Sequence, residues 1–568
     1  VFIYHKTITK EKIKMNNYIN NIEELKNNKY NLRAIEKLNI YKIKNSVYSI
    51  KLNKENLITV LYNNKPLTSI YAPIEEAKKL INQNIKDNSS RIGIFLSISS
   101  FYHIDYFLSL NKNSKAIIIE KDIEIAKLIF ENIKSKNLKR VIILLNEKIE
   151  DIISFFDFYI AEEDIKKIIC IMHIRASNIN SENKNYYDNV NFLLMNKIKE
   201  KLMSLTSNYY FAPIWARNII YNLAFNKGYS IKTYKNILNK KTPLLLISAG
   251  ASIDNYIEKI KELSKTHFIL VLSHAFNTLI KNNIKPDAIV STDGGFYSCL
   301  HIIDAIKENI PIFTTHSAYS FPLTNINKKR IFYFSHNESF EKIIYYNKNS
   351  DNNIYFPMEG SVIMPALRIA NFLNPKYILF AGCDFCHLNN KSHSKYSNAI
   401  ALDFITSNKI NTFETKKYKR LNDDNKIECF DDCLRNTSSS LLSYKAHFES
   451  LVADLSKNIN FFTLTKESAK IKNVNIYNDN IKGYNKQLKD FKHIEEKQNK
   501  ELLKNKLLLL KKAINSNNSY NNFSDDIDEI LNMISPWHRD SFIEEKIKYD
   551  ELKDYINKWY NDISIFLD

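Results

Sequence analysis

At 568 residues the chain is too long for one ordinary core, so roughly two to four domains are expected. Its 44% hydrophobic and 12% aromatic content excludes a globally disordered polypeptide. The formal charge of +19, from 81 Lys+Arg against 62 Asp+Glu, favours an acidic partner such as a nucleotide, nucleic acid or an anionic membrane face. Set against that, the lysines are scattered, Ile, Asn and Lys abound everywhere and Gly is scarce, as codon bias in an AT-rich genome would produce.

Basic residues are not interleaved with aromatics along any one element, which disfavours nucleic-acid binding. No apolar run approaches the ~20 residues needed to span a bilayer. The opening VFIYHKTITKEKIK lacks the h-region and cleavage site of a secretory signal, and Met15 reads as a start preceded by an upstream extension. Six cysteines in so long a chain do not make a disulfide framework. A cytoplasmic protein is expected.

Residues 1–70 read as a leader with a short β unit: 47–52 and 57–61 are β-rich runs separated by Asn and Lys, consistent with a hairpin. Residues 71–225 read as a Rossmann-like domain. Pro73 opens a helix over 74–82, with Glu75 and Glu76 in the first turn, where the helix dipole favours acids. Apolar runs at 92–96, 116–119, 141–145 and 168–173 are the strands of this α/β pattern, with a helix at 102–110. Glu120 closes the second strand, a place where such units hold a ribose. The preceding turn, LSISSFYH, lacks the glycines that let backbone approach a cofactor, so a structural role is expected for Glu120. Residues 187–201 and the segment FAPIWARNIIYNL read as helix, and 226–241 as a linker rich in Lys, Asn and Gly.

Residues 241–480 form the central domain. Strands are expected at 244–247, 268–272, 288–290, 312–315, 331–334, 377–380 and 460–464, with helices between them, notably 361–372 and 440–455. Strand, tight turn, helix, strand is the signature of a parallel sheet, whose ligands gather at the carboxyl ends of its strands. Those ends are Gly250-Ala251-Ser252, Ser273-His274 and Asp293-Gly294. Residues 388–436 read as a polar, irregular insertion. Residues 485–568 read as an all-helical C-terminal domain: a long charged helix over 488–515, a helix capped by Ser524, a break at Pro536, and a last helix bearing Tyr549, Leu552, Tyr555, Ile556 and Trp559.

Three segments stand out chemically. ISAGASID places Gly250 and Ser252 at a helix start, where N–H groups and a hydroxyl meet a phosphate. Met358-Glu359-Gly360-Ser361-Val362 opens an apolar helix in the same way. FAGCDFCHLNNKSHS sets Asp384 at a strand end before a His-rich loop carrying His393.

Together the blocks GASID…IKPDAIVSTD, EGSV…ALRIANFLNPKYILFAGCDFC and KSHS resemble the motility-associated factor (Maf) glycosyltransferases, whose central domain is MptE-like. They are also distantly similar to bacterial sialyltransferases. The resemblance covers roughly residues 241–475 and extends more weakly upstream through YAPIEEA and IWARNIIYNL. The pattern departs at Ala251-Ser252-Ile253, where the family has a proline, and at 464–470, where it has a Gly-rich turn.

The resemblance implies an α/β fold: a Rossmann-like N-terminal domain, a central sialyltransferase-like domain with a mainly parallel sheet, and a helical C-terminal domain. It implies transfer of a nonulosonic acid, of the pseudaminic or legionaminic type, from a CMP-activated donor to Ser or Thr hydroxyls of flagellin. The nucleotide-sugar is then a substrate, and no tightly bound cofactor or metal is implied. Asp293, Asp384 and His393 become the catalytic candidates. Gly250, Ser252, Ser273, Asp293, Gly294, Gly360 and Ser361 become the donor-binding candidates. His274 and His316, both just past strand ends, compete with His393 for the role of base, and Asp287, after Pro286, is expected to shape a turn.

Cys383, Cys386, Cys429 and Cys433 have a spacing that four-thiolate zinc sites use, but Cys383 is expected to point into the sheet, and no metal is assigned. Two rival functions stay open: a non-catalytic escort that binds flagellin or a nucleotide, and the pyrophosphokinase chemistry of MptE-like relatives.

Overall fold

The structure is a computed structural model that describes residues 2–566 except 44–45, 86–90, 134, 239–241, 320–329, 337–338, 346–353, 358–359, 422–424, 479–485, 490–491, 496–497, 517–524 and 544–547. It divides into two compact units, residues 1–207 and 208–568. Sequence had placed that boundary near 225–241 and had separated the C-terminal helices as a further domain.

The first unit begins with the helix Phe2–Lys26, which runs through Met15, and the helix Leu32–Ile40. The expected hairpin is present: β1 (Tyr48–Leu52) pairs antiparallel with β2 (Ile58–Tyr62), and a short β3 (Lys65–Pro66) extends it. Four parallel strands follow: β4 (Ile92–Leu96), β5 (Lys115–Glu120), β6 (Val141–Leu145) and β7 (Ile168–Met172), in the order β6-β5-β4-β7. Each is a near-continuous Ile/Val/Leu run because a parallel sheet is covered on both faces. Helices such as Pro73–Asn84, Tyr102–Leu110 and Ile123–Asn132 supply that cover. Glu120 is buried at the end of β5 and its carboxylate accepts from the Ile98 N–H (2.8 Å), the Ser97 hydroxyl (3.0 Å), the Asp122 N–H (2.9 Å) and the Tyr187 hydroxyl (2.8 Å). The turn that lacks glycine, with Ser97, Ser99 and Phe101 at positive φ, is thus held by the chain's own acid.

The second unit is built on a nine-stranded, wholly parallel sheet. Its strands are β8 (Tyr229–Ser230), β9 (Leu244–Ile247), β10 (Phe268–Leu272), β11 (Ala288–Ser291), β12 (Ile312–Thr314), β13 (Ile331–Tyr333) and β14 (Ile378–Ala381). β15 (Lys426–Glu428) and β16 (Leu434–Asn436) form a separate antiparallel hairpin, and β17 (Phe461–Thr463) and β18 (Val474–Ile476) complete the sheet. The order is β18-β17-β14-β9-β10-β11-β12-β13-β8. From β9 the chain winds one way through β13, and from β14 the other way to β18. The switch point therefore lies between β9 and β14, with Ile247 level with Ala381 on one side and Val271 on the other.

Several expectations change here. The supposed linker 226–241 carries strand β8 and buried Ile231, Tyr234 and Leu238, because its apolar residues cover the open sheet edge; 239–241 lie outside the described residues. The charged helix expected over 488–515 begins only at Lys500 and ends at Ser516. Before it the chain is extended: Lys489 N–H donates to Ile237 O (2.9 Å) and Ser230 N–H to Ile494 O (2.8 Å). Ladder bonds from this edge outcompete helix propensity. The two predicted helices around FAPIWARNIIYNL are one helix of 45 residues, Ser181–Phe225, that continues through Pro213. The insertion 388–436 holds the helices Asn398–Ile405 and Phe413–Leu421 as well as the β15–β16 hairpin. Ser524 lies outside the described residues, while Pro536 opens the helix Pro536–Ile543 as its first residue. The C-terminal helices, ending in Tyr549–Ser564, share a core with Ala216, Ile219, Ile220 and Ile343.

Candidate functional site

At the switch point the turns after β9 and β14 are locked together. Gly250 N–H donates to Gly382 O (2.9 Å), and Ser248 N–H to Ala381 O (2.9 Å). Asp384 is buried; it accepts from the Ser252 N–H (2.9 Å), from the Ser252 hydroxyl, and from the Ser468 hydroxyl (2.9 Å). Burial raises its pKa, and the Ser252 and Ser468 bonds counteract that. Gly250 must be glycine because a Cβ there would run into the Asp384 carboxylate and Gly382 O. Gly382 has φ +68°, and a Cβ would lie 2.5 Å from Ser248 O. Asp384 thus lies where a phosphate was expected, and the donors of Gly250 and Ser252 bond to the chain.

The next strand ends bring imidazoles together. His274 stands in the first turn of the helix Ser273–Lys281, after β10, with the Ser273 hydroxyl 3.5 Å from its Nδ1. Its ring lies 3.9 Å from that of His301, on the helix Cys299–Lys307 after β11. His393 is their electrostatic neighbour; its Nδ1 is 2.9 Å from the Ser392 hydroxyl. The loop carrying His393 is tied across the strand ends. Ser394 N–H donates to Ala249 O (2.9 Å), its hydroxyl meets that of Thr278 (2.8 Å), and the Ser397 hydroxyl donates to His274 O (3.1 Å).

All three rings are held neutral. Burial, then His274, lowers His393 to about 4, and burial, then His274 and His393, lowers His301 to about 3. Burial lowers His274 as well, while the negative charge of Asp293 pulls it back up. At about 3 and 4, His301 and His393 carry no charge near neutral pH and accept a proton only weakly.

Asp293, half-buried after β11, accepts the Gly295 N–H (2.8 Å) on Oδ1, and its backbone oxygen accepts the Tyr319 N–H (2.9 Å). Gly294 packs against the Trp215 indole: a Cβ would lie 2.6 Å from Trp215 Cδ1. These loops hang from the long helix. The Asn218 amide donates to Gly294 O and Ser317 O (both 3.0 Å), and the Asn222 amide to His316 O (2.7 Å) and Ala318 O (3.0 Å). Asn226 donates to the Asn222 carbonyl oxygen (2.7 Å). Beside them a cavity of about 310 Å³ is lined by Arg217, Tyr221, Phe296, Tyr319 and Phe566.

Other candidates sit elsewhere. His316 is buried, stacked 3.9 Å from Tyr333, with Nδ1 2.8 Å from the Tyr345 hydroxyl and Nε2 2.8 Å from the Gln498 amide, so both nitrogens are engaged. Asp287 pairs with Lys486 (2.5 Å) and accepts the Ile269 N–H (2.8 Å), in keeping with a turn-shaping role. Gly360, at φ +74°, and Ser361 precede the helix Ile363–Phe372; Met358 and Glu359 lie outside the described residues. Among the described residues no hydrogen bond joins Ser361 to Asp293, His274 or His393. Cys383 lies in the apolar core, Cys433 is exposed, and Cys386 and Cys429 face each other. No group of three or more His, Cys, Asp or Glu among the described residues is arranged to hold a metal ion.

His301 and the asparagine row escaped the sequence reading. A histidine in the first turn of an apolar helix, and Asn at i, i+4 and i+8, were the available signals.

With this geometry in place, the likenesses to known proteins can be stated. The family model described as 6-hydroxymethylpterin diphosphokinase MptE-like matches residues 217–390. The solved structure of a Maf glycosyltransferase from Magnetospirillum magneticum AMB-1 superposes with a TM-score of 0.58 at 10% identity, covering 98% of this chain and 94% of that one. This is the Maf glycosyltransferase fold. A protein of Treponema pallidum (strain Nichols) described as uncharacterized is 27% identical over 89 residues, 16% of this chain and 41% of its own length. No helix among the described residues is long and apolar enough to cross a membrane. Ligands of parallel α/β sheets gather at the carboxyl ends of the strands, and His274 and Asp293 follow those ends of β10 and β11.

Proposed function

We propose that this chain is a glycosyltransferase that carries a nonulosonic acid, of the pseudaminic or legionaminic type, from a CMP-activated donor to Ser or Thr hydroxyls of flagellin. It would act in the cytoplasm, before export, in flagellar assembly and motility. The observation that carries this reading is the contact of His274 with His301, with His393 and Asp293 as electrostatic neighbours, at the carboxyl ends of a sheet with the Maf fold.

In this reading the acceptor oxygen attacks the anomeric carbon as its bond to the donor phosphate breaks, and CMP leaves. His393 takes the acceptor's proton at Nε2, its Nδ1 being turned to Ser392. Ser273 and the first turn of its helix, with Gly294 and the Gly360–Ser361 turn, receive the donor. Asp293 orients donor or acceptor against the imidazoles, and Asp384 positions the Gly250–Ser252 turn without touching substrate. The test is incubation with flagellin and CMP-activated nonulosonic acids, followed by intact mass. Added glycan masses are expected; no mass shift with any donor would overturn the proposal.

A second reading, a flagellin- or nucleotide-binding escort, draws on the engagement of the Gly250 and Ser252 donors by Gly382 and Asp384. Tight flagellin binding without any mass shift would select it. The pyrophosphokinase reading draws on the MptE-like match and predicts pterin diphosphate from ATP and a hydroxymethylpterin.

A further inference from the structure

Cys386 follows Asp384 by two residues, and Cys429 opens the turn of the β15–β16 hairpin. Their sulfurs lie 3.8 Å apart, 43 positions apart in the chain, and both side chains are buried. The hairpin lies against residues 466–470. Phe430 N–H donates to Ser468 O (3.0 Å), Asp431 N–H to Lys466 O (2.9 Å) and Lys470 N–H to Glu428 O (2.9 Å). That same stretch supplies the Ser468 hydroxyl to the Asp384 carboxylate and the Ala469 N–H to its backbone oxygen (both 2.9 Å). The thiol pair therefore sits at the seam between the insertion and the switch-point clamp.

The neighbours of Cys429 lower its thiol against the burial that raises it. The Cys386 S–H, and then the Arg435 guanidinium, hold Cys429 below the ordinary thiol value, and Arg435 is itself fixed on Asp431 through two bonds (2.6 and 2.5 Å). Cys383, three residues before Cys386, is instead packed in apolar core and its thiol is raised by burial.

We propose that Cys386 and Cys429 are an oxidation site that closes reversibly to a disulfide and staples the hairpin to the Asp384 clamp. With hydrogen peroxide as oxidant, the Cys429 thiolate attacks a peroxide oxygen, giving a sulfenic acid and, with a proton, water. The Cys386 sulfur then attacks that sulfenic sulfur, its proton leaving with the hydroxyl as a second water. The sulfurs must close from 3.8 Å to about 2.0 Å. Oxidant reaches the buried pair when the hairpin opens locally.

The experiment exposes the whole chain to graded hydrogen peroxide, blocks remaining thiols with N-ethylmaleimide during unfolding, and maps the unreduced digest by mass spectrometry. A linked peptide joining Cys386 to Cys429, lost on dithiothreitol treatment, is expected, with rising hydrogen-exchange protection over 426–436. Cys433→Ser should keep the link, and Cys386→Ser and Cys429→Ser should each lose it. Recovery of both thiols as maleimide adducts while Cys433 gains oxygen would overturn the proposal. So would a dominant Cys429–Cys433 link, or unchanged protection of the hairpin. Mapping of the unsubstituted chain decides the matter even if a serine variant does not fold, and needs no glycosyl transfer.

Discussion

Two buried carboxylates, Glu120 and Asp384, do the same job in the two units. Each accepts N–H and O–H donors of the turn after the sheet's first α/β strand, Ile98 and Ser97 in one case and Ser252 in the other. Replacing Asp384 by Ala would remove the acceptor of the Ser252 N–H and of the two serine hydroxyls, a loss of about 1–3 kcal/mol for a buried unsatisfied group, read by urea unfolding. Gly250→Ala should cost about 1–3 kcal/mol through overpacking against Asp384 and Gly382. Chemistry should respond elsewhere: Asp293→Asn is expected to abolish transfer with the fold intact, and His393→Gln to slow it about 10²–10⁴-fold, the usual worth of a general base. Unchanged transfer in both variants would displace the site from this strand end. His316→Gln, whose ring bonds Tyr345 and Gln498, should change stability more than the rate of transfer.

At the scale of elements, the long helix Ser181–Phe225 acts as a rail for the site's loops. Its asparagines donate to backbone oxygens of residues 294 and 316–318, in the loops that follow β11 and β12. Asn222→Ala should cost about 1–3 kcal/mol by removing the buried amide that donates to the His316 and Ala318 carbonyls. Asn218→Ala acts on the same loops, so the double variant should depart from additivity in a thermodynamic cycle, and strict additivity would show the row to be independent contacts. The strand ends and most crossover helices were legible beforehand, because an apolar run closed by small or polar residues has few other readings. The edge strand β8 and the bridging of Leu488 and Glu495 to that edge were not. Two-residue strands carry no period, and a Lys/Gln-rich stretch favours helix until an unpaired sheet edge offers it a ladder.

Over the whole molecule, the buried imidazoles set the response to acid. Burial lowers His173, His267 and His393 to about 4 and His301 and His316 to about 3. A depressed folded pKa means the unfolded chain binds more protons, so the stability from these rings is complete above about pH 6.5, the ordinary histidine value, and is lost as pH falls toward 4. The raised carboxyls Glu120, Glu131, Asp287 and Asp384 act in the opposite sense, their penalty being relieved as pH falls, but among the described residues they are fewer than the lowered histidines. The urea midpoint should therefore drop between about pH 6.5 and 4; a flat profile would mean the rings are solvated.

Sequence by itself determined the parallel strands other than the edge strands β8 and β18, their order of appearance and the residues at their carboxyl ends, since those follow from local apolar period and turn chemistry. Only the tertiary structure decided which ends meet. Strand order put Asp384, an acid expected to be catalytic, against Ser252, whose N–H and hydroxyl it accepts. The same order set the rings of His274 and His301 against each other and made His393, 92 positions further along the chain from His301, their electrostatic neighbour. Side-chain contact across a sheet depends on which strands are neighbours, and that is fixed by the packing of the whole core rather than by any one segment.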